Sequence, residues 1–294
     1  MKYLRKIYNF LFKTILFWVN PEVLKLVSRK QEIIRNTNPS PEFLKEKIPN
    51  SKIRKKIHSK FEKKKYVKIG YMDEQGQVVL RKKYKYDNSE INYKNYVHNK
   101  VKKSIQIVIS ENDVVGIKKK HDSTKSLIRE LYAMYKFQKI NIKTPKIIGY
   151  SLRKKYIIME FLEGVNMRRA LYDMGAEQKI QELLISTAYE EKSSLEQYYL
   201  RLEVEKDFLK KILTKEQVDK LFEEFKAILD EGLIYQDIKY PNFVIKKDEI
   251  YWIDFEHCNA HPLAPEFLFE LISEQYKKKF QEHFNVYSVP DTVN

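Results

Sequence analysis

Gly232-Leu-Ile-Tyr-Gln-Asp237-Ile-Lys239-Tyr-Pro-Asn242-Phe-Val-Ile245, followed by Ile250-Tyr-Trp-Ile-Asp254-Phe-Glu256, decides how this chain is read. An acid stands five residues before an asparagine, and a β-rich run leads to a second acid twelve residues further on. These are the residue types that phosphoryl transfer from ATP requires. One carboxylate orients the acceptor hydroxyl and takes its proton, while an amide oxygen and a second carboxylate hold magnesium on the phosphates. The stretch therefore points to a kinase that uses ATP and Mg.

Upstream of it, Val218, Leu221, Phe222, Phe225, Ile228 and Leu229 recur at helical spacing and predict a helix over 216–231, with Gly232 as its C-terminal cap. The chain reads as helical from Gly164 to that point, with a break at Gly175. Before Gly164 the pattern is different. Short apolar runs at 66–70 and 77–80 flank Asp73-Glu-Gln-Gly76, and runs at 104–109 and 114–117 flank Glu111-Asn-Asp113, which predicts two hairpins. A helix is expected over 124–139, then a strand pair at 145–150 and 155–159. Residues 262–284 read as a last helical region, after which the final ten residues look frayed. Strands around one helix, followed by helices, make an α+β chain.

At 294 residues with 43% apolar side chains, the chain is long enough for one large core or two small lobes. Its single cysteine excludes an internal disulfide framework and fits a reducing cytoplasm. The apolar stretch at 7–19 is interrupted by Asn9 and Lys13 and is too short to span a bilayer. The net charge of +16 is unevenly placed. Residues 1–120 hold 30 Lys/Arg against 11 Asp/Glu, whereas residues 121–294 hold 26 against 29. Such asymmetry points to an anionic partner. Leu4, Ile7, Tyr8, Leu11, Phe12, Ile15, Leu16 and Val19 form the apolar stripe of a basic amphipathic helix that Pro21 would break. It suits an anionic membrane interface, where each Lys or Arg is worth about 1 kcal/mol, or docking on the core of its own domain. Asn36-Thr-Asn-Pro-Ser-Pro41 is a turn cluster, and the charged residues 42–65 read as helical. No RNA-binding motif is present, so nucleic acid is not expected as a partner.

The order of parts resembles the protein-kinase-like superfamily over residues 100–270, and is most similar to its small branches. These are the lipopolysaccharide core sugar kinases, the aminoglycoside phosphotransferases and the RIO and Bud32 kinases. The resemblance implies a bilobal fold: a basic, mostly helical extension over 1–65, a β-rich N-lobe over 66–162 and a small helical C-lobe over 163–294. Asp237-Ile-Lys239-Tyr-Pro-Asn242 matches D-x-K-x-x-N, which implies Asp237 as catalytic base, Lys239 at the transferred phosphoryl group and Asn242 on magnesium. Ile253-Asp254-Phe255 matches the second magnesium-binding aspartate. Val115-Gly-Ile-Lys118 resembles V-A-I-K, which implies Lys118 on the ATP phosphates and Glu130 as its helix partner; the adjacent Lys119 and Lys120 leave the register open. Ile157-Ile-Met-Glu160-Phe-Leu162-Glu-Gly164 resembles the hinge, with backbone groups of Glu160 and Leu162 on the adenine edge.

The chain also departs from that pattern. No G-x-G-x-x-G loop exists, Tyr235 and Gln236 precede the aspartate, and Glu256 stands third after Asp254-Phe255. His257, Cys258 and His261 lack a fourth metal ligand at useful spacing, and Ala264-Pro265-Glu266 follows Asp254 too closely for a conventional activation segment. The reading expected from sequence is a Mg-ATP-dependent kinase acting on a hydroxyl of a lipopolysaccharide core sugar or similar glycolipid. It would sit in the cytoplasm, peripheral to the inner face of the cytoplasmic membrane. A small Ser/Thr protein kinase, favoured by Lys239, and a nucleotide-binding pseudokinase scaffold are the alternatives.

Overall fold

The computed structural model describes residues 21–29, 31–33, 42, 45–46, 48–60, 66–72, 78–80, 105–110, 114–186, 192–260 and 266–287. They fall into two compact units, one of residues 25–131 and 145–163, the other of residues 1–24, 132–144 and 164–294. The chain is mixed α/β with its strands in antiparallel sheets, as an α+β chain should be. The amphipathic segment 4–19, the turn cluster 36–41, the hairpin tips at 73–76 and 111–113, and His261, Ala264 and Pro265 lie outside the described residues. Pro21 opens α1, Pro21–Arg29. A proline at the first helical position gives up an N–H that has no intrahelical partner anyway.

The first unit is built on a seven-stranded sheet. Its strands are β1 (Gln31–Ile33), β2 (Tyr66–Met72), β3 (Val78–Leu80), β4 (Ile105–Ser110), β5 (Val115–Lys120), β6 (Ile147–Ser151) and β7 (Tyr156–Glu160), in the order β1-β6-β7-β5-β4-β2-β3. The three strand pairs read from sequence are all present. The edge strand β1 was not legible, because Gln-Glu-Ile carries no alternation. Cross-strand partners share a face, so Val108 opposite Gly116 and Ile158 opposite Lys118 lie on one side of the sheet. There Val108, Val114, Ile148 and Ile158 form a core with Tyr66 and Tyr156 against it. Ile148 reaches this core as the extra residue of a β-bulge in β6. Gly116 explains why this strand reads V-G-I-K: a Cβ there would meet Ile158 Cγ2 at 3.0 Å and the Met159 carbonyl at 3.2 Å. Two further helices belong here, α2 (Ser51–His58) and the first half of α3 (Thr124–Lys139), in which Leu127, Ile128 and Leu131 are fully buried.

The second unit holds α4 (Met167–Asp173), α5 (Ala176–Ile185), α6 (Ser194–Ile212), α7 (Lys215–Asp230) and α8 (Glu266–Phe284), besides the end of α3. Capping boxes start α6 at Ser193/Glu196 and α7 at Thr214/Gln217, satisfying amides that a bare helix end leaves open. The sequence reading of a helical region that starts directly after Gly164 needs one correction. Residues Val165–Asn166 form β8, which pairs with β10 (Phe243–Lys246), itself paired with β11 (Glu249–Trp252). Gly164 permits that approach, since a Cβ would lie 2.5 Å from the Ile245 carbonyl. The core is aromatic. Trp252 packs on Phe137, Tyr235, Phe243 and Phe280, and Phe225 stacks on Phe280 at 4.3 Å between centroids. Each such ring contributes about 1.5–3 kcal/mol through burial alone.

Candidate active site

The chain leaves α7 through Gly232, whose φ of 71° lets it turn sharply and enter β9 (Leu233–Tyr235). β9 is buried throughout and pairs with β12 (Cys258–Ala260). Beyond it, Ile238 and Tyr240 are both about 1% exposed, so the residues that alternate with them, Asp237 and Lys239, face outward. Their side chains are 23% and 43% accessible. The Tyr240 hydroxyl donates to the His283 carbonyl at 2.7 Å, which ties the loop to α8. Lys279 Nζ, also on α8, donates to the Gln236 carbonyl at 3.2 Å.

Three of the sequence-predicted residues meet here. Asn242, almost fully buried, donates Nδ2 to the Asp237 carbonyl at 2.8 Å and to Asp237 Oδ2 at 3.0 Å. Lys239 Nζ lies 2.6 Å from the same carboxylate oxygen. Asp254 joins them through backbone: Ile253 N–H donates to the Asn242 carbonyl at 2.9 Å, and the Tyr235 hydroxyl donates to the Ile253 carbonyl at 2.6 Å. Asp254 itself has φ 64° and ψ 66°, a left-handed conformation that aspartate tolerates better than most residues. Tyr235 is fully buried, and burial, with the charges of Asp254 and Asp237 beside it, raises its pKa well above that of an ordinary phenol, so it stays a donor. The donor set fits magnesium: an amide and a carboxylate are hard oxygen ligands.

In the sheet unit the pairing expected between Lys118 and Glu130 does not form. Lys119 Nζ lies 2.9 Å from Glu130 Oε2, with the carboxylate fully buried. Strand alternation is the reason. Lys118 lies on the face of Ile158 and Tyr156, where its ammonium sits 4.2 Å from the Tyr156 ring centroid. Lys119 is on the opposite face with α3. Burial, then the charges of Lys154, Lys68 and Lys120, lower the Lys118 pKa. His121 completes the Glu130 site and was not read from sequence. Its Nε2 is 2.9 Å from the same Glu130 oxygen and its Nδ1 is 3.1 Å from Ser126 Oγ. The signal was available, since His121 stands two residues after Lys119, directly beyond the end of the same strand.

Glu160 ends β7 with its N–H donated to the Lys146 carbonyl at 2.8 Å and its Oε2 accepting the Lys146 N–H at 3.2 Å. Leu162 follows in the segment after β7 and is buried. Cys258 is buried in β12, whereas the neighbouring His257 ring is exposed and lies 3.4 Å from Glu256. No protein-family model matches the chain, and no curated protein matches its sequence.

Proposed function

We propose that the protein is a Mg-ATP-dependent kinase that transfers the γ-phosphoryl group to a hydroxyl acceptor. Its two units are then the β-rich N-lobe and the helical C-lobe of a bilobal protein-kinase-like fold. The observation that carries the reading is Asn242 bonded to Asp237, with the backbone of Ile253, the residue before Asp254, bonded to Asn242 and to Tyr235. In the transfer, the acceptor oxygen bonds to the γ-phosphorus as the bond from that phosphorus to the β–γ bridging oxygen breaks. ADP leaves, and the hydroxyl proton passes to Asp237. Lys239, beside that carboxylate, offsets charge on the phosphoryl group in flight. Asn242 and Asp254 would hold magnesium, which when bound supplies positive charge on the phosphates.

In the sheet unit we assign the ATP phosphates to Lys119, held by Glu130, in place of Lys118. Because the Glu160 N–H is already donated to Lys146, Leu162 is the residue proposed to offer an N–H to adenine. The acceptor that best fits the charge excess of residues 1–120 is a glycolipid sugar at the cytoplasmic face of the membrane. The test is transfer from γ-labelled ATP into cell extract, beside an Asp237→Asn control, with products split into protein, glycolipid and nucleic acid. Asp237-dependent label in the glycolipid fraction is expected. Label in the protein fraction instead would favour a Ser/Thr kinase, and label that persists in the control would sink the loop assignment.

A further inference from the structure

A cavity of about 330 Å³ opens beside Asp237, within the helical unit. It lies at the small end of the range for pockets that enclose small molecules. Four cations line it: Arg168 on α4, Arg201 on α6, Lys239 in the loop and Lys279 on α8. Two carboxylates, Glu205 and Asp237, oppose them. Arg168 Nε is 3.4 Å from Glu205 Oε1, and Lys239 is 2.6 Å from Asp237. The remaining ionisable ring, His283, is neutral at ordinary pH. Burial, then the charges of Lys279, Arg168 and Lys206, bring its pKa down to about 4. The lining therefore sums to +2 in a confined space, where an anion is attracted more strongly than in open water. The rings of Tyr172 and Tyr198 supply flat, partly apolar walls. Nothing in the phosphoryl-transfer step itself uses Arg168, Arg201 or Tyr172.

We propose that this cavity seats the acceptor, and that the acceptor is a small polyhydroxy compound carrying a phosphate or carboxylate, its anionic group held by Arg168, Arg201 and Lys279 and its reacting hydroxyl turned to Asp237. The proposal rests on the kinase reading of Asp237. It narrows the acceptor from any hydroxyl to an anionic one. The balance of the transfer is unchanged: the hydroxyl oxygen gains the phosphoryl group, ADP leaves and the proton goes to Asp237. The anionic group is neither made nor broken, and serves to position the acceptor.

Calorimetric titration of the full chain without nucleotide tests this, with glucose 6-phosphate against glucose at matched ionic strength. Glucose 6-phosphate should bind at least ten-fold more tightly. Arg201→Gln and Lys279→Gln should each weaken it several-fold and leave glucose unaffected. Arg201 is exposed on α6, so its replacement does not threaten the fold. Equal affinity for the two sugars, no binding of either, or unchanged affinity in both variants overturns the proposal. Vesicles containing phosphatidylinositol 4-phosphate, against phosphatidylcholine alone, separate the sources. Tighter binding to the vesicles than to glucose 6-phosphate places the anion on a lipid, and the reverse places it on a free metabolite. Because this readout needs no ATP, it is independent of the kinase reading. That reading fails separately, if ADP release is the same in the wild type and in Asp237→Asn.

Discussion

The Tyr235 hydroxyl donates to the Ile253 carbonyl at 2.6 Å, across 18 residues of chain. That bond sets the residue before Asp254 against the strand that leads to Asp237. One buried phenol thus links the two segments that carry these carboxylates.

Tyr235→Phe should therefore destabilise the protein by about 1–3 kcal/mol, since it leaves the Ile253 carbonyl without its donor. It should also weaken magnesium-dependent nucleotide binding, because the segment that carries Asp254 loses one of its bonds. Urea unfolding checks the first and nucleotide titration with and without magnesium the second. An unchanged urea midpoint would mean that the bond contributes nothing.

Asp237→Asn keeps the shape of the loop and removes the proton acceptor. Transfer should fall by about 10²- to 10⁴-fold, the usual contribution of a general base. Nucleotide binding should stay near wild type, and single-turnover transfer with labelled ATP measures the difference. Transfer at the wild-type rate would refute the role of Asp237.

Lys119 and Lys118 should behave oppositely despite being neighbours. Lys119→Met removes the cation from a fully buried carboxylate and should cost about 3 kcal/mol, in the range for breaking a buried pair. Lys118→Met should stay within about 0.5 kcal/mol of wild type, since the half-buried ammonium it removes has no carboxylate among the described residues to leave unpaired. Its ammonium is already disfavoured by burial and by Lys154, Lys68 and Lys120. Thermal or urea unfolding of the two variants decides it, and equal losses would contradict the assigned faces.

His283 should give the fold an acid sensitivity of its own. Its Nδ1 is 2.9 Å from the Lys279 carbonyl and its Nε2 is 3.3 Å from the Tyr198 hydroxyl, which suits the neutral ring. Burial lowers its pKa from 6.5 to about 4 in the folded protein. Between those values the unfolded chain binds the extra proton, so stability should fall as pH drops from 6.5 to 4 and should not depend on this ring above 6.5. The full loss is about 3 kcal/mol, at 1.36 kcal/mol for each pH unit of displacement. The slope in that window should be shallower for His283→Gln than for wild type; matching slopes would exclude the effect.

Much of the architecture was legible because it is local. The helix at 124–139 announces itself by apolar spacing, and the observed Thr124–Lys139 agrees to the residue. The hairpins at β2–β3 and β4–β5 follow from alternation around turn residues. Gly232 marks the end of α7 because its φ of 71° suits glycine. In the candidate site, Asp237, Lys239, Asn242 and Asp254 could all be named from order and spacing.

What local pattern could not supply was partnership. Lys118, Lys119 and Lys120 are chemically alike, and only the helix packed over one face of β5 selects Lys119 for Glu130. His121 became part of that site for the same reason. Strands β1 and β8 are three and two residues long, and exist because β6 and β10 present edges to them. The cavity beside Asp237 draws on α4, α6 and α8, elements up to 115 residues apart, so no window of sequence contains it. The sequence alone determined which residues are candidates for the chemistry and which segments coil or extend, since both follow from side-chain type and spacing. The tertiary structure decided which lysine meets the buried acid, what holds Asp254 and what charge surrounds Asp237, because those depend on which distant faces are buried against one another.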